Sequence, residues 1–174
     1  MIPRAEHPKP QFRRDNWMNL NGPWAFEIDQ SRSGEARKLY TVDAALSQQI
    51  IVPFCPESDL SGVGYKDFIP AVWYKRAFTL PAEAMGKRVI LHFGAVDYQA
   101  RVWVNGQEVG YNEGAQEPAE YDITKYVKPG RNTVAVLVLK YSDGFYMEGQ
   151  DYWRLAGIFD DVTVFATPQA RIWD

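Results

Sequence analysis

The stretch from Tyr141 to Val162 gathers five carboxylates, Asp143, Glu148, Asp151, Asp160 and Asp161, among Phe145, Tyr146, Tyr152, Trp153 and Phe159. Acids beside flat rings suit a sugar, because carboxylates accept hydrogen bonds from hydroxyls and rings cover the apolar C–H face of a pyranose. The same composition also reads as a solvated loop whose aromatics plug the end of a β-sandwich. Glycoside hydrolysis would need two carboxyls about 5 Å or about 6.5–9.5 Å apart, a distance that spacing along the chain does not set. His7 and His92 are far apart and have no spaced partner, so they do not form a metal motif. His92 reads instead as a structural histidine with its hydrogen bonds satisfied. Cys55, the lone cysteine, excludes an internal disulfide framework and a thiolate zinc site. Its proline neighbours, Pro53 and Pro56, place it in a loop as a small buried residue. No glycine-rich loop follows a strand, which argues against a nucleotide cofactor. Ser142-Asp143-Gly144 matches neither a nucleophile elbow nor a calcium loop, and a Ser-His-Asp triad would have to borrow His92 without any supporting motif.

The elements that must position these groups are short strands. The 174 residues are 46% hydrophobic and 14% aromatic with a net charge of −3. That suits one well-cored domain, at most two small ones, and rules out a disordered chain. Mild acidity without a basic cluster argues against nucleic acid or an anionic membrane surface as partner. There is no apolar run of about 18 residues that would span a membrane. The opening MIPRAEHPKP is polar and proline-rich, unlike a signal peptide, and leaves the compartment open between cytoplasm and periplasm.

Residues 1–16 read as an extended arm laid over the domain surface. Trp24, Phe26 and Ile28 alternate along a strand, and Ile51-Val52 begins another that Pro53 ends. Between them, residues 30–50 are polar and suggest a short helix around 35–47. Residues 53–71 form a long loop, of the kind that is usually functional. Val72–Leu80 and Lys87–Phe93 read as strands, joined at Pro81–Gly86 by a turn or a single helical turn. Asn105-Gly106 between alternating segments predicts a two-residue type I′ hairpin. From Asn132 to Leu139 both faces are apolar, the pattern of a covered central strand. Val162–Ala166 gives a last strand. Many short strands with almost no helix mean an all-β sandwich or barrel.

Several of these segments together resemble glycoside hydrolase family 2. They are IPRAEHPKPQFRRDNWMNLNGPWAFEID, IVPFCPESDLSGVGYKDFIPAVWYKRAFTLP and HFGAVDYQARVWVNGQEVGYNEGAQEPAEYDITKYVKPGRNTVAV. The WVNG hairpin, the PAVWYKR strand and Tyr121-Asp122-Ile123-Thr124 are specific in combination. The match is to the family's N-terminal sugar-binding domain, a jelly-roll β-sandwich over 17–168, and SDGFYMEGQDYWRLAGIFDDV resembles the β-galactosidase branch. The resemblance implies that the family's two catalytic glutamates lie on a (β/α)₈ barrel downstream, after an immunoglobulin-like domain, so that this chain holds no catalytic residue. It implies that 169–174 begin a linker toward those domains; a severed module would expose the apolar surface that faced them, which opens a route to self-association. It assigns β-galactoside contact to Asp67, Asp161 and Trp153. The family usually has Asn at the position of Asp67. No cofactor is implied for this chain alone; a sodium or magnesium ion in the full enzyme would take Asp161 as one ligand. Two classes remain open at this level. One is an accessory module of a retaining β-glycosidase; the other is an autonomous carbohydrate-binding or scaffold sandwich with no catalytic partner.

Overall fold

The computed structural model describes residues 2–9, 11, 16–140 and 155–170. Among them the chain runs through β1 (Trp17–Asn19), β2 (Gly22–Ile28), β3 (Gln48–Val52), β4 (Ala71–Leu80), β5 (Arg88–Phe93) and β6 (Val96–Asp97). It continues through β7 (Gln99–Val104), β8 (Gln107–Glu113), β9 (Ala119–Asp122), β10 (Gly130–Leu139), β11 (Gly157–Ile158) and β12 (Val162–Thr167). One sheet has the order β3-β2-β4-β10-β7-β8, a second β1-β12-β5-β9, and β11 pairs with β6. Every pairing is antiparallel, so the chain can fold through short connections. The architecture is the expected β-sandwich.

Period-two alternation builds the core between the sheets. Trp24 and Phe26 point inward from β2, Tyr74, Phe78 and Leu80 from β4, and Val89, Leu91 and Phe93 from β5. Burying each such side chain contributes about 1.5–3 kcal/mol. Along β10, Val134, Val136 and Val138 join this core, while Ala135 and Leu137 join a second cluster on the opposite face. That covered central strand was expected from its apolar pattern. The hairpin at Asn105-Gly106 also forms, with φ of 51° and 80°, as a type I′ turn requires. The four strands β1, β6, β9 and β11 are two to four residues long, too short for alternation to show in the sequence.

The helix expected around 35–47 is absent. Residues 30–47 instead form a series of turns packed on the outer face of the six-stranded sheet, with Leu39, Trp73, Trp103 and Leu137 as their shared apolar cluster. Two features prevent a helix. The buried Asp29 carboxylate captures the amides of Ser33 (3.0 Å) and Gly34 (2.6 Å), and Lys38 takes a left-handed φ of 56°. From β4, the Lys75 ammonium donates to the carbonyls of Thr41 and Ala44, which pins the far end of the segment. Trp103 stacks between Tyr40 and Trp73, each with ring centroids 5.4 Å away.

Residues 2–9 lie beside β1 and the start of β2. Asn19 Nδ2 donates to the Arg4 carbonyl and Asn21 Nδ2 to that of Pro3, and the His7 ring meets Trp17 edge-on at 4.6 Å. Among the described residues no helix is long and apolar enough to cross a membrane.

Candidate functional site

Asp161 stands immediately before β12, where the chain enters the four-stranded sheet, and is 3% exposed. Its carboxylate is held from two sides. Oδ1 accepts from Asn21 Nδ2 at 2.7 Å, and Oδ2 faces the Arg4 guanidinium at 3.4 Å. Asn21, itself wholly buried, accepts at Oδ1 from the Val162 amide, so one side chain fixes both the acid and the strand that carries it. The Asp161 carbonyl accepts from Gly94, and its amide donates to Asp160 Oδ1. Asp160 pairs with Arg4 at 2.8 Å. Burial pushes the Asp161 carboxyl above its ordinary value; the Asn21 hydrogen bond and Arg4 pull the other way without overcoming it.

The approach to Asp161 is rigid. Ile158 N–H donates to the Tyr74 hydroxyl at 3.3 Å, deep in the core. Gly157, at φ 80°, leaves no room for a side chain, because a Cβ there would lie 2.0 Å from that hydroxyl. Phe159 N–H reaches the carbonyl of Ala95.

Asp67 lies elsewhere. It is exposed in the loop 53–70, beside Phe68, whose carbonyl accepts from Gln30 just beyond the end of β2. Asp161 is bound to Asn21 just ahead of β2. Asp67 is thus placed by the 53–70 loop and Asp161 by the chain's entry into β12. Trp153, with Asp143, Phe145, Tyr146, Glu148, Asp151 and Tyr152, lies outside the described residues.

Sequence reasoning missed Glu57. This loop residue is 5% exposed and its carboxylate accepts from Lys140 Nζ at 2.6 Å and from the Ala156 amide at 3.3 Å. A charged residue between Pro56 and Ser58 was the only available signal. Nearby, Cys55, Glu57, Ser58, Lys66 and Leu155 line an open depression. Cys55 is buried, and burial pushes its thiol up, as expected for an inert cysteine. His92 departs from expectation: its Nδ1 is buried without a hydrogen-bond partner among the described residues. Burial lowers its pKa, which keeps the ring neutral and limits that cost.

The arrangement is suited to accepting hydrogen bonds from hydroxyl groups. It is poorly suited to holding a metal ion unaided. Among the described residues no three His, Cys, Asp or Glu side chains converge, whereas hard cations take six or more oxygens. Asp161 would lend one oxygen, and that oxygen already faces a guanidinium. By themselves the described residues do not complete a sodium or magnesium site; Asp161 would supply one oxygen to an ion whose other ligands came from elsewhere.

A profile described as glycosyl hydrolases family 2, sugar binding domain, matches residues 17–168. The chain belongs to this family. The sugar-binding domain is 31% identical over 180 residues to a β-galactosidase of Priestia megaterium, covering 91% of this chain and 17% of that protein. It is 44% identical over 110 residues to a β-galactosidase of Yersinia pestis, covering 62% of this chain and 10% of that protein. Among solved structures it resembles a β-glucuronidase of an uncultured Clostridium species, with a TM-score of 0.77 and 25% identity over 90% of this chain and 30% of the other. The domain thus spans less than a fifth of either of these β-galactosidases.

Proposed function

We propose that this sugar-binding domain serves a β-galactosidase-like family 2 glycoside hydrolase, in which it helps to bind the substrate and packs against the catalytic part. The observation that carries the proposal is Asp161, a buried carboxylate whose pKa is raised by burial. Among the described residues its Oδ2 makes a long 3.4 Å contact to a half-exposed arginine, against about 2.7–2.9 Å for a strong charge-assisted bond. A substrate hydroxyl donating to Oδ2 would improve on that contact. Asp67 and Trp153 are proposed as further contacts to the sugar or its aglycone. The exposed Leu60, Phe68 and Leu155, on and beside the 53–70 loop, supply the apolar surface for domain packing.

The test is Asp161→Asn in the full-length enzyme. The expected outcome is a loss of at least tenfold in kcat/KM on an aryl β-galactoside, with an unchanged melting temperature. Wild-type kinetics would remove Asp161 from the site.

A further inference from the structure

We infer that Glu57 is a positioning residue for substrate binding, tying the 53–70 loop to the chain segment that delivers Asp161. The inference rests on the reading of Asp161 given above. Three observations support it. Glu57 uses its two oxygens on two different partners: Oε1 accepts from Lys140, just past the end of β10, and Oε2 from the Ala156 amide, just ahead of β11. Both side chains of the ion pair are nearly solvent-free, at 4% and 10% exposure, so the pair is shielded from salt and fixed in geometry. Beyond Ala156, the chain has no slack before Asp161: Gly157 abuts the Tyr74 hydroxyl, Ile158 pairs with Val96, and the Asp161 carbonyl is bound by Gly94.

The loop side is equally constrained. Two residues before Glu57 is the buried Cys55, and the Tyr65 amide returns to the Pro56 carbonyl, closing the loop around Glu57. The loop then runs on through Asp67 to Phe68, whose carbonyl is held by Gln30. Glu57 therefore sets the offset between two surfaces, one bearing Asp67 and the other leading to Asp161. A bond to a backbone amide and a bond to an ammonium on one carboxylate cannot both survive its shortening or neutralisation. Its role is to place other groups; it does not itself touch the sugar.

The test compares Glu57→Gln with the double variant E57M/K140M, which removes both members of the pair. In the full-length enzyme, KM for an aryl β-galactoside is expected to rise three- to tenfold in either variant, with kcat changing less, and Lys140→Arg is expected to restore most of the loss seen on Lys140→Met. In the 174-residue chain, amide NMR shifts of Ala156 to Val162 are expected to move in Glu57→Gln while those of β5 and β12 beyond Val162 stay. A folded variant with wild-type KM and unmoved amide shifts would overturn the inference, as would unfolding of both variants, which would make the pair a folding element only. If Asp161→Asn is silent while the Glu57 variants shift the Ala156–Val162 amides, the reading of Asp161 fails and the Glu57 tie stands. If Asp161→Asn is costly and the Glu57 variants are silent, the reverse holds.

Discussion

Asp29 and Asp161 are both buried aspartates, and their protonation behaves in opposite ways. Burial alone would raise the Asp29 pKa, but the amides of Gly34 and Ser33, the Trp73 indole and Arg37 together hold it below the ordinary value. Its stabilisation is therefore complete above the unfolded carboxylate value of about 4 and is lost as pH falls through the lower folded value. Asp29→Asn is expected to cost about 2 kcal/mol at pH 7. It should also flatten the decline of the melting temperature between pH 4 and pH 2, measured by circular dichroism. Asp161 has the reverse sign. Its folded pKa is raised, so the ionised form lowers stability, and that loss sets in as pH rises through the raised value. Asp161→Asn should consequently leave the melting temperature at pH 7 unchanged or higher.

At the level of elements, hydrogen bonds reaching across the sequence decide what local pattern leaves open. The Asn105 side chain donates to Asn132 Oδ1 at 2.8 Å and to the Tyr126 carbonyl at 2.9 Å, and accepts from the Thr133 amide at 3.0 Å. The hairpin residue thus also locks the end of β7 to the start of β10 and to the turn before it. Asn105→Ala loses these bonds and the tolerance for positive φ, and should destabilise the domain by about 2–3 kcal/mol in urea titration. Gly157→Ala, which drives a Cβ into the Tyr74 hydroxyl, should cost at least as much, with part recovered by adding Tyr74→Phe. The strands β2, β4, β5, β7, β8, β10 and β12 were legible because seven or so alternating residues, or an Asn-Gly turn, record them locally. Residues 30–47 were not, because their shape comes from Asp29 and from a sheet face of β4, β7 and β10. The family resemblance singles out Asp161 as a candidate, but its environment leaves no local trace: Asn21 lies 140 positions away, and no local pattern records Arg4 or Glu57.

For the whole molecule, the exposed apolar side chains Leu60 (69%), Phe68 (56%) and Leu155 (45%) set an expectation for the isolated chain. Sedimentation velocity should show association that grows with concentration, and Phe68→Asp should reduce it; a monomer at every concentration would show that this surface is not adhesive. Calorimetry of the same chain with galactosides separates a domain that needs a catalytic partner from a self-sufficient binding module, since only the second releases heat alone. The outer layer offers a way to follow such changes without labels. Trp73 and Trp103 lie with ring centroids 5.4 Å apart at 30°, and Tyr40 covers Trp103 at 16°. Rings that close couple their electronic transitions, so their near-ultraviolet dichroism depends on Tyr40 staying in place. The turn segment 30–47, with no helix or strand of its own, therefore carries a native optical reporter of its own docking.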